Sequence, residues 1–189
     1  MKDWVGNSSI RNCNLRNKNA ETHDYYATEP KAVELLLKQE SFQKTILEPA
    51  CGEGHISEVL RARGHDVIAT DLIDRGYGEG GLDFFRYTKI SGADLITNPP
   101  YKYAKEFVEH ALSISDEGTK IAMFLKLTFL EGKGRKELFQ ENPPHTVYVS
   151  SSRLQCGKNG HFDGTAAVAY AWFVWRKGYT GPTHIKWFN

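Results

Sequence analysis

The chain has 189 residues, a formal net charge of +1 and 40% hydrophobic residues. That length points to one domain with a sizeable core, and the apolar content excludes a disordered chain. Near-neutrality argues against a large electrostatic footprint on nucleic acid, though a local basic groove stays open.

Cys13, Cys51 and Cys156 are odd in number and widely spaced, so neither a disulfide framework nor a CxxC metal pattern is present and no metal is expected. No apolar run approaches the ~20 residues that span a bilayer. Met1-Lys2-Asp3-Trp4 opens no apolar signal segment. A cytoplasmic protein without a membrane partner is expected, as a single domain over 1–189.

In chain order, residues 1–24 form an expected flexible lead-in, polar from Asn7 to Glu21. Thr28-Glu29-Pro30 opens a helix, with Thr28 as N-cap, Pro30 in the first turn and Val33, Leu36 and Leu37 on one face. Thr45 to Glu48 reads as a short buried strand, followed by a glycine turn and a helix carrying Ile56, Val59 and Leu60. Asp66 to Asp71 is a second strand, and Gly76 to Gly81 a glycine-rich loop. Ala93 to Thr97 is a third strand, running into Asn98. A helix from Ala104 carries Phe107, Val108, Ala111 and Leu112, and Ile121 to Leu127 is a further strand. Thr146 to Val149 and Ala166 to Trp175 are the last two. The aromatics of the latter read as core, not as a stacking platform.

The alternation predicts an α/β fold of Rossmann-like type, with a mostly parallel sheet covered on both faces. The last two strands predict an antiparallel pair at the sheet edge. Ligands of such sheets bind at the carboxyl ends of the strands.

Two strand ends carry chemistry. Glu48-Pro49-Ala50-Cys51-Gly52-Glu53-Gly54 links a strand to a helix, and glycines there allow positive φ and close ligand approach. Asp71 ends the next strand, where a carboxylate can accept from ribose hydroxyls. Glu48 and Glu53 would repel a pyrophosphate, so a nucleoside cofactor with a carboxylate and a sulfonium suits the turn better. An ordinary tight βα turn is the bland alternative.

Asn98-Pro99-Pro100-Tyr101 leaves the third strand stiffened by two prolines. The Asn98 side-chain carbonyl and the Pro99 backbone carbonyl can converge on an amine with two hydrogens and stabilise the charge that develops as its nitrogen attacks a methyl group. Tyr101 offers a ring for a base turned out of its helix. A proline-terminated strand is the alternative. Cys51 reads as packed rather than nucleophilic.

Together, Leu47 to Gly54 and Asn98 to Tyr101 resemble the class I, S-adenosylmethionine-dependent amino-methyltransferases of the DNA adenine N6 group. The motif order is similar to the gamma arrangement and to small phage-encoded members, including those tied to restriction-modification. The resemblance covers roughly Tyr25 to Leu127 and implies S-adenosyl-L-methionine as cofactor. It implies that Thr28 contacts the methionine carboxylate, that Glu48, Pro49, Ala50, Cys51, Gly52 and Gly54 hold the methionyl part, and that Asp71 binds the ribose with Leu72 against the adenine. It implies further that Asp83 and Phe84 recognise the cofactor adenine, with a helix cap as the alternative for Asp83. Asn98 then meets both cofactor and target amine, and Pro99, Pro100 and Tyr101 complete the catalytic tetrapeptide. The implied substrate is adenine flipped from duplex DNA.

Only 88 residues follow Tyr101, so no separate target-recognition domain is expected and specificity falls to loops or a second subunit. Lys133, Arg135 and Lys136 in one loop, and Arg153, Lys158, His161 and Phe162 in another, suit phosphate contact and base stacking. Solvated loops are the alternative. An RNA adenine or a protein glutamine presents similar amine geometry, and an inactive nucleotide- or partner-binding module is the alternative of another class.

Overall fold

The computed structural model describes residues 26–158 and 168–189. The expected lead-in over residues 1–24, and His161 and Phe162, lie outside the described residues, as does the side chain of Lys158.

The order is β1 (Tyr26–Thr28), α1 (Pro30–Gln39), β2 (Thr45–Glu48), α2 (His55–Ala62), β3 (Asp66–Ala69), β4 (Asp94–Thr97), α3 (Ala104–Ile114), β5 (Lys120–Lys126), α4 (Lys136–Glu141), β6 (Thr146–Ser150), β7 (Cys156–Lys158), β8 (Tyr170–Arg176) and β9 (His184–Phe188). Seven strands form one sheet in the order β3-β2-β4-β5-β8-β6-β9. All run parallel except β8, which is antiparallel to both β5 and β6. The sheet is therefore α/β and mostly parallel, as the alternation requires.

Period-two alternation sends side chains to two cores. Leu47, Leu95, Ile121, Met123 and Leu125 meet Phe107, Val108, Ala111 and Leu112 of α3 on one face. Ile46, Ile96, Ala122 and Phe124 meet Val33, Leu36, Ile56 and Leu60 of α1 and α2 on the other. β8 is buried from Tyr170 to Trp175, and its indoles are satisfied: Trp172 Nε1 donates to Ala32 O at 2.8 Å and Trp175 Nε1 to Asn142 O at 3.1 Å. At the amino ends of the strands, buried Asp94 accepts from the amides of Gln43 and Lys120, both at 2.8 Å.

Three expectations need correction. β8 is not at the sheet edge but between β5 and β6, because both its faces carry large apolar side chains that need cover. β9 takes that edge instead. Thr28 is not the N-cap of α1: it ends β1, Glu29 holds the cap position without a side-chain cap bond, and Pro30 opens the helix. The expected loop from Arg153 onward contains β7, which pairs antiparallel with β1 in a separate two-stranded sheet.

Candidate active site

The carboxyl ends of β2, β3 and β4 converge on the two motifs. After β2 the chain turns through Gly52 (φ 57°) and Gly54 (φ 88°), both in the left-handed region where a side chain costs energy. A Cβ on Gly54 would also lie 2.4 Å from the Tyr77 ring. The backbone conformation requires glycine in this turn, and the Tyr77 ring would have to shift to admit a side chain. That loop, the expected glycine-rich segment after β3, is anchored by Asp71 N on Glu79 O and Glu79 N on Ala69 O.

Asp71 sits half-buried just past β3 and ties the turn together. Its Oδ2 accepts the Gly52 amide at 2.8 Å and its Oδ1 accepts the Ile73 amide at 2.9 Å. Each oxygen keeps a second lone-pair position for a ligand hydroxyl. Leu72 follows with 42% of its surface exposed, an apolar side chain available to a planar ring. Asp83 Oδ1 accepts the Phe85 amide at 3.0 Å, so it caps the short 3-10 helix Phe84–Arg86. The Phe84 ring is buried against Phe107 and His110.

Glu48 is fully buried and accepts from Ser57 Oγ. Desolvation, partly opposed by that hydrogen bond, pushes its carboxyl up to about 8, so it is largely neutral at pH 7. The expectation that Glu48 repels a pyrophosphate is therefore wrong in its physics; exposed Glu53 is the remaining acid of the turn. Pro49 and Cys51 are buried, and Ala50 partly so. Burial also raises the Cys51 thiol to about 12, which leaves it no nucleophilic thiolate.

At the end of β4, Asn98 is oriented by β1. Its Nδ2 donates to Tyr26 O at 2.8 Å, with the sulfur of Cys156 a further 3.8 Å neighbour. Because a backbone carbonyl can only accept, the amide nitrogen must face Tyr26 and Oδ1 must face the other way. That Oδ1 is buried without a hydrogen-bond partner, and so is Thr28 Oγ1. Such groups are costly in a fold unless a water or a ligand supplies the missing partner.

Tyr101 is less open than the sequence suggests. Its hydroxyl lies 2.9 Å from Cys156 Sγ, and its ring is 5.7 Å from the rings of Tyr26 and of Tyr170. Lys126 Nζ stands 5.0 Å from the ring centroid. Burial holds the phenol well above its ordinary range and lifts the Cys156 thiol to about 11, so both stay protonated. Lys126 is a residue that sequence reasoning missed.

The basic loops are placed unequally. Arg135 donates to the carbonyls of Phe129 at 2.7 Å, Thr128 at 3.2 Å and Glu131, and lies over the Phe129 ring. Its charge is committed to the loop, contrary to the expectation that it is free for phosphate. Lys133, Lys136 and Arg153 are exposed.

Neither a protein-family model nor a curated protein matches the chain. Solved structures do. A protein of Pyrococcus horikoshii provisionally assigned as an RNA methyltransferase matches with TM-score 0.59 at 13% identity, over 86% of this chain and 91% of that one. The type IIG restriction endonuclease BpuSI matches with TM-score 0.61 at 15% identity, over 84% of this chain and 26% of its own. The methyltransferase subunit of a type I restriction-modification system from Streptococcus thermophilus matches with TM-score 0.57 at 13% identity, over 84% and 46%. The chain has the class I methyltransferase fold. It spans nearly all of the archaeal protein, under half of the type I subunit and about a quarter of the endonuclease.

Proposed function

We propose that this chain transfers the methyl group of S-adenosylmethionine to the exocyclic amine of adenine, N6, in DNA. The observation that carries this reading is Asn98: its amide nitrogen is held by Tyr26 O while Oδ1 is buried without a partner at the carboxyl end of β4. A fixed acceptor awaiting a donor, on a class I methyltransferase fold, suits an amine substrate.

The residues present fit the cofactor. Thr28 Oγ1, likewise without a partner, would take the methionine carboxylate. The Gly52–Gly54 turn would hold the methionyl part and Asp71 the ribose hydroxyls, with Leu72 and the Asp83-Phe84 backbone beside the adenine. When bound, S-adenosylmethionine supplies a methyl carbon made electrophilic by its sulfonium. Asn98 Oδ1 and the Pro99 carbonyl would accept the two amine hydrogens, aiming the nitrogen lone pair at that carbon. These acceptors would stabilise the positive charge that gathers on the nitrogen as it takes the methyl group. The surplus proton leaves to solvent afterwards, so no general base is required.

Incubation with labelled S-adenosylmethionine and duplex DNA, followed by nucleoside mass spectrometry, tests the proposal. N6-methyladenine is expected with the wild type, and Asn98→Ala should reduce it by roughly 10²–10³-fold, as for loss of one preorganised transition-state contact. Label at cytosine N4, or undiminished label in the variant, contradicts the assignment. RNA adenine is the second reading, since the Pyrococcus horikoshii protein matched over 91% of its length is named for RNA methylation, so an RNA arm belongs in the same experiment.

A further inference from the structure

Lys126 ends β5, and β5 is the parallel neighbour of β4, with Met123 level with Thr97. Both strands therefore deliver their next residues to the same place: Asn98 to Tyr101 from one, Lys126 from the other. Lys126 is half-buried, and among the described residues no carboxylate stands within ion-pair distance of it. Its ammonium instead faces the Tyr101 ring, at 5.0 Å. The two other aromatic neighbours of that ring, Tyr26 and Tyr170, are fixed in β1 and β8, whereas a lysine arm moves with little cost.

We infer that Lys126 is a phosphate-binding residue for the target nucleotide, and that its place over Tyr101 is the one a substrate base displaces it from. The inference rests on the amine-methyltransferase reading and deepens it to a substrate class. An ammonium over a ring is held by the ring quadrupole alone, which a full anion outcompetes. A nucleotide carries a base and an anion on one unit. The occupant that takes the ring face therefore also offers the displaced ammonium a phosphate. A glutamine side chain of a protein offers no such anion. The arrangement thus favours a polynucleotide over a protein as the amine's carrier.

The test is the salt dependence of binding to an adenine-containing DNA duplex, measured with S-adenosylhomocysteine present, for wild type, Lys126→Gln and Lys126→Arg. Losing one phosphate contact should lower the slope of log K against log salt by about 0.9. Lys126→Gln is expected to show that drop and a raised KM for DNA with kcat changed little. Lys126→Arg, which keeps the charge, should retain the wild-type slope. Arg176→Gln, exposed at the opposite end of the sheet across from Lys120, should leave the slope unchanged. Unaltered S-adenosylhomocysteine affinity in Lys126→Gln shows that the fold survives. If the wild type methylates the duplex and Lys126→Gln lowers kcat at an unchanged slope, Lys126 only clamps Tyr101 and the inference is overturned alone. If the wild type neither binds nor methylates the duplex, the amine-methyltransferase reading on DNA falls and takes the inference with it.

Discussion

Two side chains of the site, Asn98 and Asp71, are fixed by contacts from other elements. Asn98 turns its acceptor away from Tyr26 because the Tyr26 carbonyl, 72 residues earlier, occupies its amide nitrogen. Asp71 holds the glycine turn through the Gly52 amide, and Asp71→Ala should weaken S-adenosylmethionine binding by about 10–100-fold in calorimetry, the equivalent of one hydrogen bond to a charged group. Glu48 makes a pH prediction. Its carboxyl is raised in the fold to about 8 from an ordinary value of 4.5, so the folded state holds the proton more tightly than the unfolded one. Its contribution to stability is fully present below about pH 4.5 and is lost as pH rises through about 8. Urea midpoints should fall between pH 6 and pH 9 in the wild type and fall less in Glu48→Gln; equal slopes in both proteins contradict the buried neutral acid. Asn98, Asp71 and the glycines were legible in the sequence because each ends an apolar strand. Lys126 was not, since a lysine closing Ile121 to Leu125 looks like any solvated strand end until the β4–β5 register places it beside Tyr101.

Among the elements, β2 to β5 and the helices between them were legible because period-two and period-3.6 patterns are local. β1 and β7 were not, being three residues each and paired across about 130 positions, as in Thr28 with Cys156. That small sheet is nonetheless what orients the tetrapeptide: Tyr26 lends its carbonyl and ring, and Cys156 its sulfur. The Gly54 turn is a sharper test of local geometry. Gly54→Ala should lose about 1–2 kcal/mol of stability from the left-handed backbone, together with S-adenosylmethionine affinity. Chemical denaturation and calorimetry on the same preparation read both. Trp172 joins β8 to α1 through its bond to Ala32 O, a second bond to a carbonyl already inside the helix, so Trp172→Phe should cost about 0.5–1.5 kcal/mol for the hydrogen bond and more for the smaller ring in a fully buried place; an unchanged urea midpoint contradicts this.

At the scale of the whole molecule, one antiparallel strand inside an otherwise parallel sheet sets the architecture, and its buried run from Tyr170 to Trp175 explains why it lies inside. β9 was missed because its sequence runs against the expected pattern. Trp187 is 70% exposed and Ile185 is exposed beside it, with Phe188 the buried residue of the strand. Among the described residues no helix is long and apolar enough to cross a membrane. The net charge of +1 argues against a broad basic face.

The central claim is geometric, that Asn98 Oδ1 and Pro99 O receive a substrate amine beside the Gly52–Gly54 turn. A crystal structure with S-adenosylhomocysteine and an adenine-bearing oligonucleotide measures it directly. The expected result is adenine N6 within about 2.7–3.2 Å of both oxygens, facing the sulfur. An amine bound elsewhere, or an Asn98 oxygen turned away from the cavity that holds the cofactor, contradicts it.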